Sequence, residues 1–292
     1  MSANLYTVEH TTRYRYSNPV REAVLTLYLQ PVNDESQHLE SFGIATDPGA
    51  ELFRFEDPFG NRGHFFDVPS EHDVLTITSR SEVAHHQTEE AETGAEPSWD
   101  DLASLDPIGN WHLLQPTDLT RPGPALESFV QWAGIGKGAT PLASLHDAVS
   151  RIHATLTFAP GSTTVTSPMD VALETGRGVC QDFSHVLLAI VRGWGIPARY
   201  VSGYLFPDNE EEQVMAAASH AWVECSLPGI GWVGVDPTNN TVAPKHHIRV
   251  AVGRDYQDVP PTRGTFRGFA DQTLEVSVVI TAREAGAGAR GR

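Results

Sequence analysis

Apolar and polar side chains alternate near period two over residues 5–16 (LYTVEHTTRYRY) and again over 21–30 (REAVLTLYLQ), the spacing of strands that bury one face. Ser17-Asn18-Pro19 between them predicts a turn. Further strand-like runs at 42–46, 51–56, 63–68 and 73–83 are divided by Asp47-Pro48-Gly49, by Asp57-Pro58-Phe59-Gly60-Asn61 and by Pro69-Ser70. Many short strands with regular turn chemistry predict an antiparallel, sandwich-like domain over residues 1–85.

The alternation stops in HHQTEEAETGAEPSWDD, where acidic and small residues predict a solvated linker over 86–101. Beyond it the period lengthens. Residues 124–134 and 142–157 carry apolar side chains at three and four spacing, with Thr140-Pro141 as cap and first-turn pair of the second helix. A third helix is predicted after Cys180, because Phe183, Leu187, Ile190, Val191 and Trp194 fall on one stripe and Gly195 and Pro197 stop it. The second domain spans 102–284, and a Gly/Arg-rich tail at 285–292 is expected to fray. The fold class is therefore α+β.

Composition narrows the function. The chain has 292 residues, enough for two modest cores, and 37 acidic against 20 basic side chains give a formal charge of −17. That charge repels phosphate backbones and anionic lipid, so neither nucleic acid nor membrane is an expected partner. No window is long and apolar enough to span a bilayer, and the polar, Tyr-bearing start is unlike a secretion signal. The two cysteines, Cys180 and Cys225, cannot build a disulfide framework. A reduced, cytoplasmic setting is the expectation.

Cys180 carries the chemistry. It follows Gly176-Arg177-Gly178-Val179 and stands at the start of the predicted helix, where unpaired N–H groups and the helix dipole favour a thiolate and can hold an oxyanion. The N–H groups of Cys180 and Gln181 are the candidate oxyanion donors. A thiol nucleophile needs a base, and 40 residues later come two alternating runs, Ser219-His220-Ala221-Trp222-Val223-Glu224-Cys225 and Trp232-Val233-Gly234-Val235-Asp236, around a Pro/Gly turn. With the turn centred near Pro228, His220 opposes Asp236 on one face of a hairpin. The carboxylate would then hold Nδ1–H and leave Nε2 for the thiol, a nucleophile, base and orienter in sequence.

GRGVCQDF, GIPARYVSGYL, SHAWVE and GWVGVDPTN occur in the order found in the bacterial transglutaminase-like superfamily, which these residues resemble. GRDYQDVPPTRGTFRG resembles the segment after that core, and VEHTTRYRY and DPFGN resemble the β-rich N-terminal domain that accompanies it. One departure is Leu29-Gln30-Pro31, where relatives commonly place Arg before the Pro. The resemblance implies a papain-like catalytic fold. It also implies thioester chemistry at an amide, with Cys180 as nucleophile, His220 as base and then acid, and Asp236 as orienter. Water as acceptor gives a peptidase or amidase. An amine gives a protein-glutamine gamma-glutamyltransferase or a transpeptidase, and a non-catalytic binding protein on the same fold is the reading from another class.

Other residues carry weaker expectations. Gln181, Trp222 and Tyr204 are candidates for contact with a peptide or protein substrate, with Gln181 expected to be solvated in the first helical turn. Cys225 lies on the strand face opposite His220 and should pack inward. His85-His86 and His246-His247 are adjacent pairs whose side chains point apart, so no metal site and no cofactor is expected. Arg254, Asp255 and Tyr256 read as a loop brace.

Overall fold

The computed structural model describes residues 4–86, 96–206, 213–216, 219–243 and 246–283. In chain order they form β1 (Asn4–Leu27), β2 (Gln37–Asp47), β3 (Phe53–Glu56), β4 (Arg62–Val68), β5 (His72–His85), a 3-10 turn at Asp100–Ser104, α1 (Trp111–Leu114), α2 (Pro124–Ala133) and α3 (Pro141–Thr155). They continue with β6 (Thr157–Phe158), α4 (Met169–Thr175), β7 (Arg177–Gly178), α5 (Cys180–Gly193), β8 (Ala198–Leu205), β9 (Gln213–Ala216), β10 (His220–Leu227) and β11 (Gly231–Asp236). The last elements are β12 (Thr241–Ala243), β13 (His247–Gly253), β14 (Thr262–Arg267) and β15 (Gln272–Arg283). The class is α+β, as the alternating and helical periods predict. Most of the predicted linker and the tail from 285 lie outside the described residues.

The turn predicted at Ser17-Asn18-Pro19 does not form; β1 runs through it as one strand. Residues before the bend pair with β5 and β15, and residues after it pair with β4 and β14. The β5 ladder is irregular between Arg15 and Val20, which is where Pro19 can sit without breaking a bond it cannot make. Glu22, at φ 52, completes the change of direction. Tyr14, Tyr16, Leu25, Leu27, Phe66, Leu75 and Ile77 fill the space between the two arms. The closing strands β14 and β15 therefore return to the N-terminal sheet.

The second sheet has the order β12-β11-β10-β8-β13 and is antiparallel throughout its described pairs. Helix α5 packs on β8 and β10, with Leu187, Leu188, Val191, Val223 and Cys225 in one core. The sequence predicts a single apolar stripe on this helix, but Gln181 through Arg192 are all buried. The reason is that α3 and α4 pack against α5 as well as the sheet does. Gly195, at φ 87, ends the helix where the sequence places its stop.

Strand β13 is the edge of this sheet, and side-chain amides from the N-terminal region cap it. Asn61 Nδ2 donates to the Val252 carbonyl at 2.7 Å, and Val252 N–H donates to Asn61 Oδ1 at 2.8 Å. Gln37 repeats the motif on Arg249, giving to its carbonyl at 2.9 Å and accepting from its N–H at 2.7 Å. Two amides thus satisfy backbone groups that a missing strand would leave open. Asp57 shapes the loop that presents Asn61, accepting from Phe59 N–H, Asn61 N–H and Asn61 Nδ2.

Gly203 on β8 permits the closest approach in this sheet. A Cβ there would overlap the Ile248 carbonyl oxygen and the Trp222 ring. Gly203→Ala should therefore lower unfolding free energy by about 1–3 kcal/mol, the usual cost of overpacking. Urea denaturation measures it; an unchanged midpoint would show that β8 and β13 can separate freely.

Candidate active site

The loop before Cys180 is built by two glycines with different tasks. Gly176, at φ 68, ends α4 in the left-handed region. Gly178 has an ordinary backbone, but a Cβ on it would press against the Asp182 side chain at 2.9 Å. That room matters because Asp182 Oδ2 accepts from Val179 N–H at 2.8 Å and from the Thr163 hydroxyl at 2.6 Å. Burial pushes the Asp182 carboxyl up, and these bonds oppose the rise.

The same cap decides which helix-end donors stay available. Asp182 and Phe183 N–H groups both bond the Val179 carbonyl, at 2.9 and 3.2 Å. Cys180 and Gln181 are left with the first two N–H groups of α5, which have no carbonyl one turn back within the helix. Cys180 itself is partly exposed. A thiol beside two such donors has what a tetrahedral oxyanion requires.

His220 opens β10 and Asp236 closes β11. His220 Nε2 donates to Asp236 Oδ2 at 2.7 Å, and the His220 ring also interacts with Cys180. This corrects the tautomer expected from sequence: Nε2 faces the carboxylate, so Nδ1 is the nitrogen left for the sulfur. Register is corrected as well. Leu227 pairs with Gly231 and Val223 with Val235, which shifts the hairpin by two residues from the predicted alignment. Gly229 and Gly231, at φ 75 and 89, place the turn over residues 228–230, one residue beyond a turn centred on Pro228. A two-residue shift keeps every side chain on its face, so His220 and Asp236 meet diagonally instead of squarely.

Asp236 is fully buried, and five donors converge on it. Oδ2 also accepts from Asn239 Nδ2 at 2.7 Å and from His247 Nε2 at 3.1 Å, while Oδ1 accepts from Thr238 and Asn239 N–H groups at 2.9 and 3.2 Å. Burial alone would raise this carboxyl; the donors outweigh it and hold the group far below the usual carboxylate range. For His220, burial disfavours the charged ring, but the bonds to Asp236 and Cys180 prevail and push it up to about 10. The ring therefore carries its proton readily at neutral pH.

His247 was not legible as a site residue. Its neighbour relation to His246 excludes chelation by that pair, yet says nothing of one member turning inward onto Asp236. His220, Asp236 and His247 offer donor atoms within 4.8 Å of one another, a set of the kind zinc accepts. In this structure those atoms are hydrogen-bonded to each other.

The three residues expected at the substrate are all buried. Gln181 is buried, not solvated, and its Nε2 donates to the Val165 carbonyl at 3.1 Å, tethering the loop beside Cys180. Trp222 is buried among Val201, Ala243 and Val252 with Phe59 packed over them, its ring against His247. Tyr204 is buried against β1, its hydroxyl bonded to His10 Nδ1 at 3.0 Å. Trp222 and Tyr204 are less open than expected for the same reason: a further layer covers the face that strand alternation identifies. Cys225 packs inward as predicted, and burial pushes its thiol up. The Arg254–Tyr256 loop braces the back of α5: Tyr256 N–H donates to His185 Nε2 at 3.3 Å, and Arg192 Nη2 donates to the Arg254 carbonyl at 2.6 Å.

Comparison with known proteins agrees with this architecture. Residues 6–84 match the bacterial transglutaminase-like N-terminal region, and residues 133–237 match the transglutaminase-like superfamily. An uncharacterized protein of Mycobacterium leprae is 35% identical over 280 residues, covering 94% of this chain and 97% of its own. A protein-glutamine gamma-glutamyltransferase of Pseudomonas aeruginosa is 37% identical over 93 residues, 30% of this chain and 14% of that protein. A solved structure from Cytophaga hutchinsonii, described provisionally as a cysteine protease, superposes with a TM-score of 0.73 at 20% identity, covering 99% of this chain and 93% of that one. The N-terminal strands, the Cys180 helix and the His220–Asp236 hairpin are thus the parts of one known arrangement, and the chain belongs to the transglutaminase-like superfamily.

Proposed function

We propose that this protein is a thiol enzyme that opens amide bonds of peptides or proteins through a thioester, with Cys180 as nucleophile, His220 as base and acid, and Asp236 as orienter. The observation that supports it most is the Asp236–His220 bond of 2.7 Å on a ring that also engages Cys180 at a helix N-terminus. The thiolate attacks the amide carbon, His220 gives its proton to the departing amine, and the acyl group stays on sulfur. Water, activated by the now neutral His220, then releases the acid and regenerates the thiolate–imidazolium pair.

Hydrolysis is the first reading because Cys180 is partly exposed, so that a thioester formed there would be open to water. Transfer to an amine, which the name of the Pseudomonas relative suggests, is the second reading. Incubation with a peptide library and a labelled primary amine separates them by mass spectrometry: acid products support hydrolysis, and amine incorporation supports transfer. Among the described residues no helix is long and apolar enough to cross a membrane. With the acidic charge and two free cysteines, this supports a cytoplasmic location.

Two variants test the roles. Iodoacetamide at about pH 6, well below the ordinary thiol range, should alkylate Cys180 and spare Cys225, and His220→Ala should abolish that labelling. Labelling confined to alkaline pH would favour a non-catalytic binding protein. Asp236→Asn should fold, yet lose roughly 10²–10⁴-fold in turnover, because an amide donor facing Nε2 forces the wrong tautomer, as in a serine triad. An undiminished rate would remove the orienter.

A further inference from the structure

His247 is buried at 1% exposure on the edge strand β13, and it crosses toward the hairpin to reach the carboxylate that also serves His220. Its Nε2 lies 3.1 Å from Asp236 Oδ2, while its Nδ1 is buried with no partner among the described residues. The protonation this fixes is simple. A hydrogen on Nε2 meets a carboxylate; a hydrogen on Nδ1 would be an orphaned buried donor. His247 is therefore neutral with its hydrogen on Nε2, and burial, which lowers its pKa, acts in the same direction.

The consequence depends on the stage of the reaction. In the resting enzyme Asp236 faces the imidazolium of His220, a full positive charge. Once His220 has given its proton to the leaving amine, the ring is neutral and the buried carboxylate loses that positive charge, keeping the Nε2–H bond alone from this ring. The rest of its charge is held by His247, Asn239 and two backbone N–H groups. Without enough of these, Asp236 takes a proton from water and turns its O–H toward Nε2, so that the neutral ring carries its hydrogen on Nδ1 and has no base to offer there.

We propose that His247 is a positioning residue for the second half of the reaction: through Asp236 it keeps the neutral His220 in the tautomer that activates the attacking water. This rests on the thiol-enzyme reading above. Deacylation balances as follows. Water gives a proton to His220 Nδ1 as its oxygen bonds the acyl carbon, the carbon–sulfur bond breaks, and the sulfur leaves as the thiolate paired with imidazolium.

A chromogenic ester separates the two halves. With p-nitrophenyl acetate, acylation expels p-nitrophenolate, which needs no proton, and appears as a burst; deacylation sets the steady rate. His247→Leu should retain the burst rate within about 3-fold and lose roughly 10- to 100-fold in steady rate, the equivalent of one hydrogen bond to a charged group. His247→Gln, whose amide N–H can replace Nε2–H, should recover to within about 3-fold of wild type by the same reckoning. A steady rate in His247→Leu equal to wild type overturns the inference. So does an equal loss of burst and steady rate that Gln does not restore, since that marks a merely structural role. A wild-type protein without a burst, or a burst that survives Cys180→Ala, instead removes the thiol-enzyme reading on which the inference stands.

Discussion

A carboxylate removed from water is the constraint around which this half of the molecule is organised. An uncompensated buried charge would cost several kcal/mol. Asp236 is tolerated because donors arrive from three directions: the turn after β11 supplies Thr238 and Asn239, β10 supplies His220, and β13 supplies His247. Each source requires a particular piece of architecture. The hairpin must keep His220 and Asp236 on one face, and β13 must lie beside β8 closely enough for His247 to reach across.

That closeness links the N-terminal region to the chemistry. Gly203 lets β8, β13 and the Trp222 ring approach, and the Asn61 and Gln37 amides hold the outer side of β13. Arg249, on the same strand, pairs with Glu224 at 2.9 Å and also with Asp34. Phe59 then packs on the cluster containing Trp222, which lies against His247. The N-terminal strands therefore act on the site as the outer wall of the sheet that carries the histidines, although they contribute no group to the thiol itself.

How much of this the sequence displays depends on which physical rule applies. Period-two alternation identifies faces, and faces survive a two-residue slip, so His220 and Asp236 fall together even on a wrong register. The ring nitrogens could not be assigned that way, because diagonal and direct pairing aim the imidazole differently. Alternation also cannot tell whether a second layer covers a face. Trp222 and Tyr204 look available along their strands, but Phe59 and β1 close over them. Pro19 reads locally as a turn residue; only the long-range partners of β1 show that it occupies a bulge.

Strand β1 also governs the order in which the molecule can be completed. Its first half makes one ladder with β5, soon after it in the chain, whereas the ladder on the other flank of that half awaits β15, so that Leu5 meets Arg283. During synthesis on the ribosome, one flank of β1 must remain open until β15 has emerged. A strand flank left unpaired for that long is a place where two nascent chains can join by mistake. The large sequence separation of that ladder also makes it a slow contact to form. Cys180, by contrast, lies well before β15, so its helix is synthesised before the sheet that will frame it is closed.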